Sequence, residues 1–367
     1  MAGLALGVFA LMASAHAELL QSSPPPGAIL DAAPRDVTLV FSEPVTPAGA
    51  GIKVFSPSGH QVAGPAEAAG PRLSSRLTAS EAGTYVVTWQ VFAADTHPSR
   101  GVFAFAVGHA SDNPYSGLLN AGTAGTATPL GLALQALARW VHFAGFALVF
   151  GVIAYGIAIR GAARPGRLVT AGVVLLIAAE PLALVAQLAS LSFDGDTALA
   201  VLGSGFGRIL GLRLGAALLT WAVLATGRAW PVLGVGAVIA LLDGAGAHAI
   251  PGLPGVGQLL VALHAAAMGL WVGGIVAFLA SPDRRFARHA VWTLGAAVLT
   301  GLALALAHTH FGLALITTDY GRALVLKASI LVAAVAAAAL RRHRPELGLA
   351  FLAVGAAALV AALPPPF

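Results

Sequence analysis

Long uninterrupted apolar segments constrain this chain more than any other feature of its sequence. From about residue 131 onward, runs of roughly twenty mostly apolar residues follow one another, which is the length that an α-helix needs to cross a bilayer. Of the 367 residues, 58% are hydrophobic and only 10% are charged, and the mean hydropathy is +0.85. This composition excludes an ordinary soluble domain and a disordered chain. We therefore expect a membrane protein with several spans.

The apolar segments predict an all-α polytopic membrane bundle of about eight transmembrane helices over residues 131–367. We expect the helices near 131–159, 167–190, 207–227, 230–249, 256–280, 288–309, 320–340 and 346–363. Arginine is concentrated in alternate loops, at Arg160, Arg164, Arg167, Arg228, Arg284, Arg285, Arg288, Arg341, Arg342 and Arg344. Because positively charged loops stay in the cytoplasm, these loops are predicted to be cytoplasmic, and the N-terminal part of the chain lies outside.

The first residues agree with this orientation. Residues 1–15 are apolar and end in Ala13-Ser14-Ala15, a small-x-small pattern that is typical of signal-peptide cleavage. Cleavage after Ala15 makes His16 the first residue of the mature chain.

Residues 16–108 have the composition of a soluble β domain. Strand-like segments lie at 37–41, 84–91 and 102–107, separated by Pro- and Gly-rich turns. Short strands of this kind predict an all-β sandwich of the immunoglobulin-like type. Residues 109–130 are rich in Gly, Ser, Thr, Asn and Ala, which is typical of a linker.

Composition also excludes several kinds of chemistry. The chain has no cysteine, so it has no disulfides, thiolate metal sites or thiol redox chemistry. The net charge is +5, but the basic residues are mostly scattered arginines at the ends of apolar runs, so no nucleic-acid partner is expected. No G-x-x-x-x-G-K-[ST] loop is present, so an ATP-driven pump is not expected.

Three residues of the β domain predict a metal site. An N-terminal His16 can chelate a metal through its amine and its imidazole together. Asp95 and His97 share one face of an extended segment, because strand side chains repeat every second residue. Together these groups form a tetragonal nitrogen and oxygen set, which suits Cu(II).

Several motifs of the β domain resemble CopC-type periplasmic copper-binding proteins. They are the segments 16–24 (HAELLQSSP), 39–45 (LVFSEPV), 83–89 (GTYVVTW), 94–98 (ADTHP) and 101–103 (GVF). By this resemblance His16, Asp95 and His97 are Cu(II) ligands. Thr96 stands where a Gly is usual in the family. No Met lies between residues 16 and 108, so the Met-rich Cu(I) site of some relatives is absent.

The membrane part resembles the CopD family of copper-resistance membrane proteins. The matching segments are 263–265 (LHA), 269–274 (GLWVGG) and 317–322 (TTDYGR) followed by Lys327, with a weaker match at 139–142 (RWVH). The resemblance implies a CopC–CopD fusion in a bacterial inner membrane that acts in copper import, resistance or homeostasis. A periplasmic copper donor is an expected partner.

Polar side chains inside membrane spans are costly, so each is a functional candidate. The candidates for a membrane copper path, where Cu(I) can be the species, are His142, Asp243, His248, His264, Met268, His308 and His310. Glu180, which precedes Pro181, is interpreted as a buried protonated carboxyl near a kink.

Other functions stay open at this point. We expect no enzymatic activity, but an N-terminal His with a second His also occurs in the copper brace of oxidative polysaccharide-cleaving enzymes. There Asp95 would occupy the position that oxygen needs. A membrane haem or redox protein would use His142 and His264 as axial ligands. A sensor would bind copper outside and signal through the spans.

Overall fold

In the computed structural model of the chain, residues 17, 19–93, 98–120, 129–161, 166–191, 193–247, 250, 253–340 and 343–363 are described. The first part is a β structure of eight strands. They are β1 Leu19–Ser23, β2 Ile29–Leu30, β3 Asp36–Phe41, β4 Thr46–Phe55, β5 Ala63–Ala69, β6 Arg72–Leu77, β7 Gly83–Phe92 and β8 Pro98–Val107.

The strands form two four-stranded sheets, with the orders β1-β3-β6-β5 and β2-β8-β7-β4. In β3, Val37, Leu39 and Phe41 alternate with more exposed residues and point into the space between the sheets. The longest pairing joins β7 and β8, from Gly83 opposite Val107 to Phe92 opposite Pro98. The prediction of an all-β sandwich is therefore confirmed.

Residues 109–120, expected as the first half of the linker, pack against the sandwich. The Asn113 side-chain amide donates to the carbonyl oxygens of Phe55, Ser56 and Thr84, at 3.3, 2.9 and 2.9 Å. The Tyr115 ring stacks on Phe55 with the centroids 3.9 Å apart. These contacts extend the β domain to about residue 120, while residues 121–128 lie outside the described part of the chain.

The second part is helical. Its helices are α1 Pro129–Phe146, α2 Val152–Arg160, α3 Arg167–Ser190, α4 Gly195–Gly203, α5 Gly205–Ala225, α6 Ala229–Ala245, α7 Pro254–Ala280, α8 Phe286–Thr309, α9 Ala314–Thr317, α10 Asp319–Ala339 and α11 His343–Ala362. Six of the helical segments in the described residues are long and apolar enough to cross a membrane, and two apolar helices are shorter. The predicted bundle is confirmed, and α4 and α9 are short additions that the hydropathy pattern does not reveal.

The first span is interrupted by one π-helical turn, Ala147–Gly151, between α1 and α2. Gly151 lies against Gly269 and Gly273 of α7, so close that a Cβ on any of these glycines would collide with its neighbours. Small residues of this kind let two membrane helices approach backbone to backbone. The first span is thereby fixed to α7 at the centre of the bundle.

The helices surround a central space, and neighbouring helices do not all pack equally closely around it. The spans α3, α5, α6, α7 and α8 pack in that order, and α10 packs on α11, which packs on α1. Over their described residues, the backbones of α8 and α10 approach each other at most marginally. Side chains rather than close backbone packing bridge these two helices, as His308 of α8 and Tyr320 of α10 do.

The sandwich touches the helical part at the α3–α4 corner. Ala48 of β4 and Phe92 of β7 form one buried cluster with Leu191 and Val201. Asp194 caps the N-terminus of α4 by accepting from the backbone N–H of Thr197 at 2.8 Å. Apolar side chains thus hold one edge of the sandwich on this corner.

Candidate metal-binding segment and membrane cavity

The residues predicted as Cu(II) ligands, His16, Asp95 and His97, lie outside the described residues. The described residues beside them belong to one core. Ala17, which follows His16, is 1% exposed, and Ala93, two residues before Asp95, is 5% exposed. Both pack in the core cluster of the sandwich. The ligand assignment itself stays a prediction.

In the membrane part, a cavity of about 740 Å³ lies between the helices. Five of the residues predicted for a membrane copper path line it together, namely His142, Asp243, His264, Met268 and His308. His310 does not line this cavity; it ends α8 with a left-handed backbone (φ 49°) and is exposed. His248 lies outside the described residues. Sequence reasoning therefore identified residues that share one space, although they come from four different spans.

A buried charge network occupies one wall of the cavity. His142 Nδ1 lies 3.2 Å from Glu180 Oε1, and His142 Nε2 lies 3.1 Å from Asp243 Oδ2. Arg213 donates through Nε to Glu180 Oε1 at 3.1 Å and through a terminal nitrogen to Asp243 Oδ1 at 3.3 Å. With both ring nitrogens facing carboxylates, His142 satisfies the network as an imidazolium. Two cations then balance two carboxylates.

This network corrects the interpretation of Glu180 as a protonated carboxyl. Its carboxylate is 1% exposed and accepts from Arg213 as well as facing His142, which fits the ionised form. The network also explains why Arg213 is tolerated in the middle of a mostly apolar span. The pairing was missed because Glu180, Arg213 and Asp243 lie on three different helices, and sequence spacing does not report contacts between helices.

A second polar group joins α7, α8 and α10. His264 Nδ1 donates to the carbonyl oxygen of Ala297 at 3.0 Å and lies 3.1 Å from Thr300 Oγ1. Its Nε2 lies 2.9 Å from Lys327 Nζ. Gly301 makes room for the ring, because a Cβ there would lie 2.9 Å from His264 Cε1. Both ring nitrogens of His264 are therefore engaged.

Nearer the predicted outer end of the same helices, His308 of α8 approaches α10. Its ring is buried, and Nδ1 lies 3.5 Å from the hydroxyl of Tyr320. Tyr320 follows Thr318 and Asp319 at the start of α10, where the Thr318 side chain accepts from the backbone N–H of Gly321. This cap fixes the helix start and with it the position of Tyr320.

Within the described ranges, no group of three or more His, Asp or Glu side chains is arranged to hold a metal ion. The physical reason is that His142 and His264 direct their nitrogens at protein partners. Copper could bind either residue only if an existing contact were exchanged. Haem ligation by the same pair would require both groups of contacts to break, so no observation favours that alternative.

The fold defines a class: an all-β sandwich joined to a helical bundle with several membrane-spanning lengths. Residues 19–108 match the model of the CopC domain family. Protein YobA of Escherichia coli (strain K12) is 35% identical over 98 residues, which cover 25% of this chain and 79% of that protein. YobA of Shigella flexneri gives the same values. The chain therefore belongs to the CopC family through its N-terminal domain.

Two solved structures align with the same domain. CopC from Methylosinus trichosporium OB3b is 28% identical, with 27% of this chain and 100% of that chain covered and a TM-score of 0.24. PcoC, a methionine-rich copper resistance protein from Escherichia coli, is 31% identical, with 25% and 98% covered and a TM-score of 0.23.

Proposed function

We propose that this protein binds Cu(II) outside the cytoplasm through its CopC domain and that its helical part moves or buffers copper. The observation that carries the proposal is the family match over 19–108, which ends just before the segment 109–120 that packs on the same sandwich. In this proposal His16, Asp95 and His97 are the ligands. The protein has no enzymatic activity in this reading, because it holds and passes an ion.

The role of the membrane part is supported by its cavity. A path for an ion through a bundle needs polar side chains that face a common space. His142, Asp243, His264, Met268 and His308 line such a space. A thioether and imidazoles are ligands that Cu(I) accepts, so a path for Cu(I) through this cavity is the proposed route. His310 and His248 remain candidates for the outer approach.

The orientation follows from charge. Arg228 lies between α5 and α6, and Arg284, Arg285 and Arg288 lie at the junction of α7 and α8. We propose that these loops are cytoplasmic, which puts the sandwich on the opposite side, in a bacterial inner membrane. Copper would then meet the sandwich before it meets the cavity.

The test is copper binding and accumulation with the full chain. His97→Ala should weaken Cu(II) binding strongly, because one imidazole nitrogen is lost from a chelate. His60→Ala is the matched control, since His60 is exposed and its Nδ1 contacts only Ser58 among the described bonds. Cellular copper measured with and without the protein gives the direction of movement. Equal losses of affinity in the two variants would contradict the ligand assignment.

A further inference from the structure

Lys327 is the one lysine of the helical part, and the chain has only one other, Lys53. It lies on α10, eight residues after Asp319, which places it about 12 Å along the helix from its start. An ammonium group at this depth is costly unless a partner neutralises it.

The contacts of Lys327 do not neutralise it. Nδ1 of His264 donates to the Ala297 carbonyl, which can only accept, so Nε2 carries the lone pair and accepts from Lys327 Nζ. The imidazole is then neutral, and the positive charge stays on the lysine. Among the side chains that the structure describes, no carboxylate lies within ion-pair distance of Lys327.

Within the described lining of the cavity, the charge of Lys327 is not balanced. In the network on the opposite group of helices, Glu180 and Asp243 balance Arg213 and the His142 imidazolium. Asp243 is the one carboxylate among the described lining residues, and it already belongs to that network. The rest of the lining is predominantly apolar. A ligand that complements this space has one anionic group and a long apolar body.

The cavity can be reached from the lipid. It extends between α8 and α10, whose backbones approach each other at most marginally over their described residues and whose outer ends meet at His308 and Tyr320. Leu302 of α8 and Val325 and Val332 of α10 line it, and protein atoms leave them 53%, 45% and 69% exposed. An acyl chain can therefore enter sideways without unfolding any helix.

We propose that this cavity binds a long-chain carboxylate, with the carboxylate on Lys327 and the chain between α8 and α10. The ligand is a single-chain amphiphile, because its head must leave the interface and reach a lysine well inside the span. The phosphate of a two-chain phospholipid stays at the interface with its glycerol and its hydration. In the bound state the carboxylate accepts a hydrogen bond from an ammonium group that lacks another counter-charge. This charge-assisted hydrogen bond is strong because the surrounding space has a low dielectric constant.

The experiment uses the full chain in phosphatidylcholine nanodiscs and palmitate with a photoreactive diazirine in its chain. After illumination, mass spectrometry of peptides locates the label. We expect labelling on α8 and α10. In Lys327→Gln the labelling yield should fall about tenfold or more, because removing a hydrogen bond to a charged group has an effect of this size. Lys327→Arg, which keeps the charge, and Lys53→Gln, which is outside the membrane part, should retain most of the labelling.

The matched uncharged reagent is hexadecanol with the same diazirine. Equal labelling by palmitate and hexadecanol in the unchanged protein would overturn the proposal, since the cavity would then hold any chain. This comparison decides the matter even if Lys327→Gln fails to reach the membrane.

Unlabelled palmitate should compete with the label. Equal competition by dioleoyl phosphatidylglycerol would overturn the single-chain carboxylate in favour of a phospholipid. The result does not depend on copper, so it stands or falls separately from the proposed function.

Discussion

At the residue scale, one wall of the membrane cavity depends on a network of balanced charges. His142 contacts both Glu180 and Asp243, and Arg213 contacts the same two carboxylates. Replacing Arg213 would leave two carboxylates facing one imidazolium in an apolar environment. Removing one partner of a buried ion pair destabilises by about 3–5 kcal/mol. Arg213→Gln should therefore unfold at a clearly lower temperature.

The control is Arg208→Gln, which changes an exposed arginine of the same helix. Thermal unfolding of both variants in detergent gives the comparison. If Arg213→Gln and Arg208→Gln melt alike, the network does not contribute to stability, and another role must account for four charged side chains in the spans.

A second prediction at the residue scale concerns the loss of stability of the β domain at low pH. Hydrogen bonds from the Ser58 hydroxyl, and then from Ser56 and the Ser58 backbone, lower the pKa of Glu81. A carboxyl group whose pKa is lower in the folded than in the unfolded chain stabilises the fold at pH values above the unfolded-chain pKa. This contribution is lost as the pH falls through the pKa of the folded chain. Ser58→Ala should raise the pKa of Glu81 and weaken this acid dependence. An NMR titration of Glu81 measures it, with Ser74→Ala on β6 as the control.

Individual residues also show how much of the candidate site can be predicted from the sequence. Polar residues in apolar spans are visible in the sequence, which is why His142, Asp243, His264 and His308 were identified. Their partners were not, because contacts between helices depend on rotation and depth. From the sequence alone, Lys327 is notable only because it follows the TTDYGR segment of the family motif. Its significance comes from the contact with His264 and from the cavity.

At the element scale, β3, β7 and β8 were predicted because they are rich in β-branched and aromatic residues, and in β8 Phe103, Phe105 and Val107 share one face. By contrast, β5 has the sequence AGPAEAA, and β1 is half polar, so neither carries a strand pattern. They are strands because they pair with β6 and β3. The spans were predicted to within a few residues, since hydropathy alone sets their length. The π-helical turn was not, because it reflects packing against α7.

That packing gives an element-scale prediction. A Cβ at Gly273 would collide with the carbonyl oxygen of Ala147 in the π-helical turn and with Gly151. Gly273→Val should separate α7 from the first span and destabilise the protein by about 1–3 kcal/mol, the usual effect of overpacking. Gly295→Val is the matched control, because a Cβ at this α8 glycine meets no atom within 4 Å. Membrane abundance and thermal unfolding give the readout, and equal behaviour would contradict the close contact.

At the scale of the whole molecule, the position of the sandwich matters for function. Phe92 ends β7 three residues before Asp95, and it is buried against the α3–α4 corner with Ala48, Leu191 and Val201. About one helical turn before Leu191, Gln187 of α3 lines the membrane cavity. The strand that leads to the predicted copper ligands is thus anchored next to the helix that borders the cavity. A docked sandwich would keep any captured ion close to the helical part.

Because the chain has no cysteine, docking can be tested with introduced pairs alone. Lys53 and Asp196 are exposed and line the same small crevice between the sandwich and α4, so Lys53→Cys with Asp196→Cys should cross-link readily with a short bismaleimide. Leu20→Cys with Asp196→Cys is the control, since Leu20 is 64% exposed on β1 of the other sheet. Phe92→Ala should lower the yield of the first pair by removing the apolar contact. Mass spectrometry of the linked peptides measures the yields. Similar yields for both pairs would mean that the sandwich is free of the bundle, and copper would then have to reach the cavity by diffusion from a detached domain.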